Sequence, residues 1–227
     1  MEEKKRRPIP VNAIIQHEVI IMEQRRTPRG VVMENKFIGG VMLNRISNRF
    51  HAWAKGWLVF VLMLLDMFFM GLVMPLVGGL MKSGTGLEQP LDLMFLATPD
   101  KMFAMIKHYG EFGRAFYRNV ELTVDILYPI IYTLAFGLLI SWLFQRGFKS
   151  DSKMQRLNAV PVGAWFFDLL ENLGIVTMLS MWPSQPVALA WLTTVISTIK
   201  WIFAGASMVL IVIGLVMAAK NGFRKRE

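Results

Sequence analysis

The apolar run from Pro161 to Pro183 is long enough to cross a bilayer, yet it carries Asp168, Glu171 and Asn172. About 20 helical residues span a hydrocarbon core. Steps of three and four put the two carboxylates and the amide on one helical face. A charge at that depth costs about 2.5–3.5 kcal/mol on insertion scales, so these groups must face protein or a wet cavity rather than lipid. A chain built this way has to fold around a polar seam inside a membrane. Lys200, in the last apolar run, is the expected counter-ion.

Comparable runs recur elsewhere, and the chain is 54% hydrophobic. The expected fold is therefore all-α: a polytopic bundle of four transmembrane helices over about residues 57–80, 122–144, 161–182 and 187–219. The first crossing carries Asp66 near its centre, with Pro75 and Gly78-Gly79 loosening its far end. The second carries Asp125, Tyr128 and Tyr132 on one face, where the phenols can donate to buried carboxylates. Pro129 has no N–H to give the carbonyl of Asp125, which invites a kink or a bound water. Gly205, Ala206 and Ser207 in the fourth crossing permit close helix contact.

Outside these runs the chain is basic, with a formal charge of +9. Lys and Arg crowd the N-terminal segment, the loop around Lys149 and the C-terminal tail, whereas the 82–121 connection is charge-balanced. By the positive-inside rule both termini are cytoplasmic, and the basic loops face anionic lipid rather than nucleic acid. Residues 1–50 form an N-terminal extension in which Ala13–Met22 and Val31–Phe37, split by Pro28 and Gly30, read as a small hairpin. Ile14, Ile15, Val19 and Met22 also fit a helical face, and the extension is either a tail lying on the membrane surface or a docking element for a protein partner. The stretch Asn44–Lys55, with Arg45, Arg49, Lys55, Phe50, His51 and Trp53, reads as an interfacial anchor at the start of a membrane domain over 51–227.

The connection 82–121 is too long for a bare loop. Thr98-Pro99-Asp100 is a helix start with Thr98 as N-cap, and Met102, Phe103, Ile106 and Tyr109 share a face. An amphipathic helix lying on the extracytoplasmic surface is expected over about 99–109. Downstream, Arg114 or Arg118 is placed to pair with Glu121.

Asp66, Asp125, Tyr128, Tyr132, Asp168, Glu171, Asn172 and Lys200 are thus the expected polar core. Four acids against one base do not balance. Either acids are protonated, or a cation, water or ligand shares the site. Cysteine is absent and His17, His51 and His108 lie outside the apolar runs, so no metal or cofactor is expected. Three functions fit. The first is a non-enzymatic membrane protein, structural, accessory or binding a small molecule or lipid. The second is proton- or ion-coupled transport along Asp66, Asp125, Asp168, Glu171 and Lys200. The third is a membrane-embedded lipid-modifying enzyme using a carboxylate pair. Oligomerisation is compatible with each.

The set Gly110-x-x-Gly-Arg-x-x-Tyr117, Glu121-Leu-Thr-Val-Asp125-x-x-Tyr-Pro-x-x-Tyr132, Asp168-x-x-Glu-Asn172 and Lys200-Trp201 resembles small four-crossing bacterial membrane proteins of unassigned function. The resemblance implies the fold and a bacterial cytoplasmic (inner) membrane, and it implies no activity. The emopamil-binding, sterol-isomerase-like proteins are an architectural analogy only, since their motif pattern differs.

Overall fold

The computed structural model describes residues 38–86 and 90–224, so the hairpin expected within 13–37 and His17 lie outside the described residues. The chain divides into two units, Met1–Val41 and Met42–Glu227. In the second unit the described residues are helical and contain no strand. Helix α1, Ile38–Trp53, is amphipathic and ends where Lys55 adopts an extended backbone. Four stretches are long and apolar enough to cross a membrane: Gly56–Thr85, Gly110–Gly147, Lys153–Met181 and Val187–Gly222.

The first stretch is not one regular helix. Helix α2 (Gly56–Phe68) passes through a π-turn, Phe69–Val73, into α3 (Met74–Thr85). Pro75 has no N–H, and its ring would strike the carbonyl four residues back. In the widened turn the N–H of Met74 reaches Phe69 O, which relieves that crowding just before the proline. Gly86, in the left-handed conformation, ends α3.

A cap follows. A 3₁₀ turn (Leu91–Leu93) leads to α4 (Pro99–His108), and Gly110, at φ +63°, turns the chain into α5 (Gly110–Glu121). Helix α4 exposes one face, with Asp100, Lys101, Ala104, Lys107 and His108, and buries the other. Pro99, Met102, Phe103 and Ile106 are buried, and the last three pack with Tyr109, Tyr117, Ile175, Met178, Leu179 and Ala190. This apolar face seals the ends of two spanning helices. Thr98 precedes α4, but its side chain makes no capping hydrogen bond.

The remaining spans are α6 (Val124–Gly147), α7 (Val160–Met181) and α8 (Val187–Arg224). Within the apolar windows, 50% of residues are buried for the span containing α6 but only 11% and 17% for the first and last, so α6 is central and the outer two face lipid. Two amides close the end of α6: Gln155 Nε2 donates to Phe144 O at 3.1 Å, and Asn221 Nδ2 to Gly147 O at 3.0 Å. They satisfy carbonyls that a helix end leaves without partners.

Close helix contact comes from glycines other than the one expected. Gly205 and Ala206 are largely uncovered, with nothing within 4 Å of a Cβ added at Gly205; of that trio only Ser207 is buried. The tight approach between α7 and α8 is at Gly174, where an added Cβ would run into the Thr193 side chain. Gly174→Val should therefore lower stability by about 1–3 kcal/mol, as overpacking does. Gly205→Val should stay within about 0.5 kcal/mol, the usual range for surface changes. Thermal unfolding of the two variants in mild detergent checks this, and equal losses would contradict the assignment of the contact.

Candidate functional site

Three helices meet at Lys200. Its residue exposure is 7%, and its ammonium lies between Asp168 Oδ1, at 3.3 Å, and Glu171 Oε2. The i, i+3 spacing on α7 presents both carboxylates to one point on α8. Tyr132 of α6 donates its hydroxyl to Asp168 Oδ2 at 3.0 Å. Ser197, one turn before Lys200, is also buried. The Lys200 ammonium stands 5.2 Å from the centroid of the Trp201 ring. One cation is thus shared by two acids, and Asp168 has Tyr132 as a further donor.

Asn172, next to Glu171, does something the sequence hinted at from the other side. Its Nδ2 donates to the backbone carbonyl of Asp125 at 2.7 Å. That is the carbonyl Pro129 cannot serve. A helix defect in α6 is therefore satisfied by an amide from α7, where a water or a kink was the expectation. Asn172 belongs to the seam by holding backbone, not charge.

Toward the first span the seam continues through aromatic rings. Tyr128 stands edge-on to Tyr132 with centroids 5.5 Å apart, and Phe69 stacks on Tyr128 at 6.0 Å. Phe69 opens the π-turn, so the helix irregularity sits where the first span meets this ring. Asp66, three residues before Phe69 on the first span, is 6% exposed, and its Oδ1 has no hydrogen-bond partner among the described residues.

Sequence reasoning missed a second acidic group. Tyr117, 2% exposed, donates to Asp92 Oδ1 at 2.7 Å, and the Asp92 N–H returns to the phenol oxygen at 3.3 Å. Glu121 is fully buried beside Tyr117, with both oxygens lacking a hydrogen-bond partner of ordinary length. The pairing expected with Arg114 or Arg118 is not made. Arg114 instead donates to Ile106 O at 3.4 Å and lies over Trp182, 5.3 Å from the ring centroid. Arg114, Arg118 and Glu121 share the one helix α5, but Glu121 lies on its buried face with Tyr117 and Val120, whereas both arginines are only half-buried. Outside the spans, the phenol of Tyr109 is pushed well above its ordinary range, mainly by burial and then by the Asp92 and Glu121 carboxylates.

Asp92 could have been noticed only through its 3₁₀ turn, since in sequence it is one ordinary acid in a long connection. Among the described residues no group of three His, Cys, Asp or Glu side chains could hold a metal ion. No family model, curated protein or solved structure matches this chain.

Asn172→Leu should cost about 1–3 kcal/mol, the penalty for leaving the buried Asp125 carbonyl unserved. In a Pro129→Ala background the same change should cost clearly less, because an alanine at that position restores an N–H for the carbonyl. A double-mutant cycle on detergent unfolding reads the coupling, and strict additivity would contradict this role for Asn172.

Proposed function

We propose that this chain is a non-enzymatic integral protein of the bacterial cytoplasmic membrane, with both termini cytoplasmic. It resembles small four-crossing bacterial membrane proteins and acts as a structural or accessory subunit or as a small-molecule or lipid binder. The observation that carries this reading is that the charges gathered at Lys200 are spent on one another. Lys200 is shared by Asp168 and Glu171, Tyr132 is committed to Asp168, and Asn172 is committed to backbone. A group that must exchange protons or attack a substrate needs an open face. These groups present theirs to neighbouring helices. Their effect is to fix which face of α7 meets α6 and α8, a registry role for which buried polar groups are well suited. A protein partner through residues 1–50 and self-association belong to the same proposal.

The charge arithmetic makes the test. Lys200→Met leaves two uncompensated carboxylates and should cost about 3–5 kcal/mol, the range for breaking a buried ion pair. Lys200→Met with Asp168→Asn and Glu171→Gln removes the charges together and should recover most of that loss. Unfolding midpoints in detergent decide it; a triple variant as unstable as the single one would rule out the clamp.

A second reading is favoured by one specific feature: the linked group Tyr132, Asp168, Lys200 and Glu171 is extended toward the first span by the ring of Tyr128 and the buried Asp66. Such a set of exchangeable groups can carry protons or accompany an ion. If it does, Asp66→Asn abolishes flux into proteoliposomes while the fold is retained, and flux equal to wild type counts against transport. The clamp reading expects no flux in either protein.

A further inference from the structure

The structure brings two basic segments, distant in sequence, to one end of the bundle. Residues 44–55 and 145–156 hold Arg45, Arg49, Lys55, Arg146, Lys149, Lys153 and Arg156 against a single acid, Asp151. They are held together by hydrogen bonds. His51 Nε2 lies 2.9 Å from Gln155 O, Gln145 Nε2 donates to His51 O at 2.8 Å, and Asn158 Nδ2 donates to Ser47 O at 3.0 Å. Between them lies a cleft with Ser47, Asn48 and His51 on one wall and Gln145, Phe148, Ser150, Asp151, Ser152, Gln155 and Arg156 opposite.

The groups lining this cleft divide in two. Ser47, His51, Gln145, Ser152 and Gln155 are committed to building its walls. The side chains of Asn48, Ser150 and Arg156 are exposed, have no hydrogen-bond or ion-pair partner among the described residues, and line the same space. An amide, a hydroxyl and a guanidinium bordering one cleft without partners are the donors that a phosphate group takes. The only acid in the lining, Asp151, is exposed and borders both this cleft and its neighbour. A second cleft adjoins the first, sharing Phe148, Asp151 and Ser152, and adds the apolar Met217 and Gly147 beside Lys149 and Asn221. A phosphate in the first cleft therefore has an apolar groove leading away from it at the end of α6 and along α8.

We infer that this paired cleft binds the phosphate headgroup of an anionic phospholipid, with Arg156, Asn48 and Ser150 as the headgroup donors and Met217 and Phe148 bordering the acyl chain. Free phosphate shares the headgroup chemistry but has no use for the second cleft, so the lipid is the source the geometry favours. The inference rests on the chain spanning a membrane and is independent of what the Lys200 seam does. It also differs from diffuse attraction of basic loops to a charged surface, which spreads roughly evenly over all exposed Lys and Arg.

That difference sets the experiment. The full chain in neutral detergent is titrated with phosphatidylglycerol, phosphatidylcholine or inorganic phosphate and read by native mass spectrometry. One phosphatidylglycerol per chain should be retained in preference to phosphatidylcholine. Arg156→Gln should weaken that binding by about tenfold, a built contact exceeding the roughly fivefold share of one surface charge. Lys153→Gln, a neighbour outside the cleft lining, should change it by less than about threefold. Since Arg156 is exposed and has no partner to lose, unfolding midpoints should not move, which separates lost binding from lost fold. Equal losses from the two variants would show diffuse charge only and overturn the site. Displacement of the lipid by an equal concentration of inorganic phosphate would overturn the lipid assignment.

Discussion

Everything in the membrane half of this molecule leans on one ammonium group. Lys200 is buried at the junction of α7 and α8, and α6 reaches it through Tyr132 and Asp168. Helices in lipid gain little from apolar association, because tails and side chains are equally greasy. What distinguishes the right packing from its many apolar rivals is that only one registry satisfies Asp168, Glu171 and Lys200 together. Rotating α7 away from α8 would carry both carboxylates toward lipid, at about 2.5–3.5 kcal/mol each on insertion scales. Specificity is then supplied by polar groups and tightness by small ones such as Gly174.

The same logic explains why the irregularities of the chain cluster at the seam. Pro129 opens α6 where Asn172 can close it, and the π-turn ahead of Pro75 places Phe69 on Tyr128. Backbone groups inside a bilayer must be satisfied by protein. A helix defect is tolerated only beside a neighbour that can repair it, and so defects and polar side chains are found together. The first span is otherwise little covered, and its attachment runs through Phe69 and Asp66 on one side and through Val59, Leu138 and Phe50 on the other.

The two ends of the bundle are built by different chemistry. At one, the 90–123 segment packs apolar side chains over the ends of α7 and α8 and buries Tyr117, Glu121 and Tyr109 beneath them. At the other, amides and a histidine knit α1 to the 145–158 loop, and basic side chains surround them. The first end is closed over an acidic interior, and the second is open, polar and positive.

How much of this was legible beforehand follows from the range of the forces involved. Four apolar runs, the helical class and the grouping of Asp168, Glu171 and Asn172 on one face are set by hydropathy and by the 3.6-residue repeat, which act locally along the chain. Lys200 as counter-ion followed from scarcity, since the apolar runs hold few cations to choose from. What only the tertiary structure decided is which groups meet across helices. Asn172 proved to serve a carbonyl rather than a charge, Arg114 turned to Trp182 instead of Glu121, and the amphipathic face of α4 was buried against α7 and α8. Asp92 was brought to Tyr117 from a connection with no periodic signal at all. Arg114 and Glu121 part on a single helix because only Glu121 is on its buried face. Most of the rest depend on rotations at short breaks, the turn at Leu122-Thr123 and Gly110 among them. A few residues there redirect whole helices, and no local propensity encodes where the far end will land.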